Sequence, residues 1–232
     1  MTVPRRFVPV ADHGLLVEFA TEISDDASAN VLALDRALAD NPPAGVIEVV
    51  PGLVNLLMLF DPMVVDHAEL ERAVTDLAIA AVDLSETQLH EVQVCYDPDL
   101  GPDLAAVAAQ RGISIDAVIE AHLAAEYRVG MYGFAPGYAY LAGVAESIQV
   151  PRKPAAVPGV PAGRVLIAGP QCLVTTIEMP TGWSIIGSSP TRVLLDDQRH
   201  DDDDGPPVLF NVGDRVRFRR IDRETHDRMS VS

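Results

Sequence analysis

The chain has 232 residues, 48% of them apolar and 22% charged, which excludes global disorder and supplies one good core or two small ones. Its formal net charge of -17 repels phosphate and argues against general nucleic-acid binding. No apolar run approaches the ~20 residues needed to span a bilayer. Cys95 and Cys172, far apart and in no CxxC arrangement, read as reduced thiols, and the expected location is the cytoplasm.

The first part reads as a small α/β unit. Phe7–Val10 and Leu15–Phe19 flank Asp12-His13-Gly14 as a hairpin. Ser24-Asp25-Asp26 supplies N-cap chemistry for a helix whose Val31, Leu34 and Leu38 share a face, and Asn41-Pro42-Pro43 stops it. Val46–Val50 and Leu53–Phe60 are strand-like, and a second helix is expected over Asp66–Ala81 with Leu70, Val74 and Leu77 buried. Two helices against a small antiparallel sheet make an α+β layer.

Near Asp83-Leu84-Ser85-Glu86 the chain crosses to a second unit, giving expected domains 1–86 and 87–232. Leu89–Tyr96 alternates like a strand, and Gly101-Pro102-Asp103 starts a helix. Another begins at Ser114, placing Ile115, Val118, Ile119 and His122 on one apolar face. Beyond Gly130 short β segments follow: Arg164–Ala168, Leu173–Ile177, Trp183–Ile186, Arg192–Leu195, Val208–Asn211 and Arg215–Arg219. Gly or Pro at almost every junction is the pattern of a barrel or sandwich. The run His200-Asp201-Asp202-Asp203-Asp204-Gly205 is expected as a solvated loop, since consecutive aspartates lack the spaced ligands of a calcium loop.

The stretch from Tyr132 to Pro190 alone has the texture of a site. Phe134, Pro136, Gly137, Tyr138 and Tyr140 form a turn with alternating rings, serving either packing or a pocket. Pro136 removes an N–H that a phosphate cradle would use. His122 is the best acid/base candidate, with a hydrogen-bonded core histidine as the alternative. Arg152, Lys153 and Arg164 concentrate positive charge in an acidic chain, which suits an anionic ligand. Trp183 is expected to fill the barrel core. No metal-ligand cluster, Walker loop, Rossmann fingerprint or nucleophile elbow is present.

The ordered series His122, Tyr127-Arg128-Val129, Gly133-Phe134, Pro136-Gly137-Tyr138, Tyr140-Leu141, Pro151-Arg152, Val160-Pro161-Ala162-Gly163, Ile167-Ala168-Gly169, Gln171, Gly182-Trp183 and Ile186-Gly187 resembles the KipI family. That family is also described as the B-type subunit of 5-oxoprolinase or as allophanate hydrolase subunit 1. The resemblance implies a small N-terminal α/β domain followed by a cyclophilin-like β-barrel domain. It also implies a KipA-like partner subunit, and ATP with Mg in the complex. The implied activity is ATP-dependent opening of a 5-oxoproline-type amide, with His122 moving a proton. Phe134, Pro136, Gly137, Tyr138, Tyr140, Arg152, Arg164 and Gln171 are then expected around the substrate. Inhibition of a histidine kinase, or a part in urea or allophanate metabolism, are alternatives attached to the same family. Three departures stand out: Ala156-Val157 replaces a Pro-Arg pair, Cys172-Leu173-Val174-Thr175-Thr176 replaces Thr-Gly-Ile-Tyr-Pro, and Ser188-Ser189-Pro190 replaces Arg-Thr-Pro. Two guanidinium groups are thereby absent, and Arg164 stands where a serine is usual.

Overall fold

The computed structural model describes residues 6–195 and 207–230, so the expected aspartate loop at His200–Gly205 lies outside the described residues. The chain divides into two compact units, Met1–Thr87 and Gln88–Ser232.

In the first unit, β1 (Arg6–Val10), β2 (Gly14–Glu18), β3 (Val46–Pro51) and β4 (Asn55–Phe60) form an antiparallel sheet in the order β1-β2-β4-β3. Alternation sends Leu15, Val17, Leu56, Met58 and Phe60 into a core closed by Leu34 and Leu38 of α1 (Asp25–Asp40) and by Leu70 and Val74 of α2 (His67–Asp76). The Ser24 hydroxyl caps α1, and Asp66 with Glu69 makes a capping box on α2. Helix α2 stops at Asp76, short of the expected Ala81. Leu77 and Ile79 still pack against the core, but at the two-residue spacing of extended chain.

The second unit contains β5 (Leu89–Val94), α3 (Leu104–Arg111), α4 (Ile115–Ala124), β6 (Tyr127–Tyr132), β7 (Ala139–Ala142), β8 (Val157–Val160), β9 (Arg164–Ala168), β10 (Gln171–Val174), β11 (Met179–Thr181), β12 (Ser184–Ser188), β13 (Arg215–Arg220) and α5 (Arg223–Ser230). Seven strands run in the order β12-β9-β10-β7-β6-β13-β5, while β8 and β11 form a separate ribbon. Among the described residues only the β13–β5 pairing is parallel. The edges of the large sheet meet where Cys95 N donates to Ser188 O at 2.8 Å and Ser188 N to Cys95 O at 2.9 Å. The sheet is therefore a nearly closed barrel, in line with the α+β expectation.

Its two faces carry separate cores. Inside, Val165, Ile167, Cys172, Val174 and Ile186 meet Leu104, Val107, Val118 and Ile119 of the helices. Ile115 departs from the expected buried stripe and is exposed. On the other face, Leu166, Leu173 and Ile185 pack with Tyr138, Val160 and Trp183. Trp183 is thus absent from the barrel core it was expected to fill: by strand alternation it shares the outer face with Ile185, while Ile186 faces inward. Gly101 abuts the same strand: a Cβ there would sit 2.3 Å from the Ile186 carbonyl oxygen.

Candidate functional site

The β6–β7 connection is a tight loop. Ala135 N donates to Gly133 O at 2.9 Å, Tyr138 N to Ala135 O at 3.1 Å and Gly133 N to Tyr138 O at 3.3 Å. Gly137 takes φ +72°, and a Cβ there would meet Thr176 and Leu194 at 3.0 Å. Phe134 adopts φ 71° without being glycine, and its ring is 71% exposed. The left-handed region costs a non-glycine residue about 1–2 kcal/mol, so the loop holds an apolar ring at the surface in a strained backbone.

That ring borders a cleft of about 290 Å³ with Tyr138, Tyr140, Arg152, Lys153 and Trp183. Leu166 and Leu173 of the outer sheet face form part of its wall. The rings meet in pairs, Phe134 with Tyr138 and Tyr140 with Trp183, each at 5.8 Å between centroids. Burial and the neighbouring Tyr140 hold the Tyr138 hydroxyl above its ordinary pKa, so it stays a neutral donor. Arg152 places its guanidinium carbon 5.5 Å from the Trp183 ring centroid. Lys153 is already committed, its ammonium 2.5 Å from Asp103 Oδ2, which also accepts Ile185 N at 2.7 Å. Among the described residues no carboxylate pairs with Arg152, which leaves it the cation for an anionic ligand.

The remaining expected residues lie elsewhere. Pro136 points its carbonyl at the Thr176 hydroxyl, and with Gly137 it shapes the loop rather than lining the cleft. Arg164 turns away, donating to Leu100 O at 2.7 Å, and burial lowers its pKa. Gln171 opens β10 opposite Ala142 and Ala168 and does not line the cleft.

His122 is the largest departure. It has no exposed surface and sits among Tyr96, Tyr127 and Phe218. The Tyr96 hydroxyl lies 2.7 Å from its Nδ1, and Cys172 Sγ lies 3.7 Å from its Nε2. Desolvation lowers its pKa to about 3. Cys172 and Leu173 are consecutive on β10 and face opposite ways, one toward His122 and the other into the cleft. The sheet therefore stands between His122 and the cleft, and proton transfer to a ligand held there is outside its reach.

Lys153 is legible as part of the basic group, but its ion pair with Asp103 and the place of Trp183 in the cleft are hidden from sequence reasoning, because the β8–β11 ribbon beside them gives no plain strand pattern. The Gly182-Trp183 turn is the available signal.

Among the described residues no three His, Cys, Asp or Glu side chains converge as a metal site. Three N–H groups of the glycine loop are consumed by its own turns. No helix among the described residues is long and apolar enough to cross a membrane.

Comparison with known proteins agrees with this architecture. The chain is 32% identical to the B-type subunit of 5-oxoprolinase from Bacillus subtilis (strain 168), over 97% of each chain. It is 35% identical to TTHA0988, a solved crystal structure, with a TM-score of 0.77, covering 90% of this chain and 40% of that longer one. The K. lactis urea amidolyase shares the fold at 14% identity and a TM-score of 0.76, covering 96% of this chain and 15% of that one. A family model described as carboxyltransferase domain, subdomain C and D, matches residues 5–202. With most of its length matched, this chain belongs to that carboxyltransferase-domain family.

Proposed function

We propose that the chain is the B-type subunit of an ATP-dependent amide hydrolase that opens 5-oxoproline, and that the Phe134–Trp183 cleft holds the substrate. The observation that carries this reading is the pairing of an unneutralised Arg152 with the Trp183 face in a small aromatic cleft. 5-Oxoproline is a flat five-membered lactam bearing one carboxylate. A ring of that size stacks on an aromatic wall, and its carboxylate matches the planar donor fork of a guanidinium. The Bacillus subtilis relative is named as a subunit of 5-oxoprolinase, which supports the choice of lactam.

Lactam opening is slow in water because resonance protects the amide carbon. Phosphorylation of the amide oxygen by ATP would convert it to a leaving group. This chain's residues orient the ring and exclude water from one face, while Arg152 fixes the carboxylate. The proton transfer expected of His122, and the site for ATP and its Mg, we assign to a KipA-like partner subunit completing the cleft. The test is to purify the chain with and without that partner and follow ATP-coupled loss of 5-oxoproline. Turnover is expected only from the complex. A stable complex with no turnover contradicts the reading.

A further inference from the structure

At the seam of the barrel, where β12 meets α5, three side chains that the amide chemistry does not use are in line. Ser188 Oγ lies 3.0 Å from His226 Nε2, and His226 Nδ1 lies 3.1 Å from Asp227 Oδ1. We propose that Ser188, His226 and Asp227 form a serine nucleophile site acting on small activated esters.

The tautomer follows from the partners. Ionised Asp227 can only accept, so His226 Nδ1 carries the proton and Nε2 is left bare to accept from Ser188. The Ser188 hydroxyl also approaches Gly163 O, but at 3.2 Å, the longer of its two contacts. Asp227 is held by Arg223, whose Nε lies 2.8 and 2.9 Å from its two oxygens. Bonds from His226 and Arg223 keep that carboxylate below its ordinary pKa, hence charged. Ser188 is 6% and His226 7% exposed, which holds both in one geometry. Ser188 also stands where the resemblance calls for arginine, so the arrangement is a property of this chain.

A cleft of about 340 Å³ opens beside them, lined by Gly163, Ser189, Thr191 and Ser230 among others. Gly163 and Ser189 contact or adjoin Ser188, and the Ser230 hydroxyl donates to His226 O at 2.9 Å. Thr191 Oγ1, on the same wall, is buried with no hydrogen-bond partner among the described residues. In the reaction Ser188 Oγ bonds to the ester carbonyl carbon while its proton passes to His226 Nε2. The carbon–alkoxide bond then breaks and the alkoxide takes that proton. Water, deprotonated by Nε2, bonds to the acyl carbon; the bond from that carbon to Ser188 Oγ breaks, Oγ takes the proton back from Nε2, and the acid is released.

A fluorophosphonate probe tests the site: the P–F bond breaks, phosphorus bonds to the serine oxygen, and fluoride leaves. Peptide mass spectrometry is expected to place the adduct on Ser188. Labelling is lost in Ser188→Ala and kept in Ser189→Ala. His226→Asn slows it about 100-fold, the usual worth of a general base. Asp227→Asn, which changes only an exposed side chain, slows it about tenfold or more. No adduct on Ser188, or equal labelling rates in the wild type and Asp227→Asn, overturns the proposal.

Discussion

The Tyr96 hydroxyl lies 2.7 Å from Nδ1 of His122 inside the barrel core. Burial raises the tyrosine pKa, so the hydroxyl keeps its proton and donates it to the bare nitrogen. His122 thereby stays neutral with Nε2 protonated toward Cys172. Its folded pKa is about 3, against an ordinary value of 6.5 for the free side chain. Between those values the unfolded chain binds the extra proton, so stability falls as pH drops, by about 1.4 kcal/mol per unit at most. Urea midpoints from neutral pH to pH 4 should fall more steeply in the wild type than in His122→Asn. That variant should itself lose about 2–4 kcal/mol, from a cavity and an orphaned hydroxyl. A His122 ring resonance titrating near neutrality speaks against this placement.

Gly101 is fixed by contact. Its missing Cβ would overlap the Ile186 carbonyl at 2.3 Å, and neither backbone can yield without disturbing the α3–β12 junction. Gly101→Ala is expected to cost about 1–3 kcal/mol, read from urea denaturation. An unchanged midpoint contradicts the close approach.

Asp103 ties the cleft floor to α3 by accepting both Lys153 Nζ and Ile185 N. Asp103→Ala leaves the Ile185 amide without its partner and frees the lysine. The expected loss is about 1–3 kcal/mol, with a raised KM in the complex as Lys153 competes for the substrate carboxylate. A variant with wild-type stability and KM rules out this role.

Phe134 trades backbone comfort for an exposed ring. Phe134→Gly removes the left-handed strain and the ring together. Folding stability should stay within about 1 kcal/mol of wild type, while KM for the lactam rises several-fold. A stability loss well beyond that range shows that the ring packs rather than binds.

The glycine–proline rhythm makes the Tyr132–Tyr140 turn and most strands of the barrel legible, and the helical stripes of Leu34, Leu38, Leu70 and Val74 place the first core. Strand periodicity places Trp183 and Ile185 on one face but does not reveal which face of the sheet that is, because both faces carry an apolar core. Val157-Pro158-Gly159-Val160 hides β8, since proline and glycine, here its two middle residues, disfavour a strand interior. Helix α5 carries no apolar stripe, because His226 alone of its eight residues is buried. The Ser188–His226 contact therefore cannot be read from the sequence, although the departure at Ser188 can. The spacing of His122 puts it on an apolar face; that the face turns wholly inward depends on the sheet packed over it.

The central claim is that Arg152 over Trp183 grips the substrate carboxylate. The direct measurement is the kinetics of 5-oxoproline opening by the assembled complex carrying Arg152→Lys or Arg152→Ala. Lysine keeps the charge but loses the planar fork and the stacking, so KM should rise about tenfold with kcat little changed. Alanine should raise it about 10–100-fold, the worth of a charged hydrogen bond. Complexes that assemble normally and turn over with wild-type KM in both variants contradict the account.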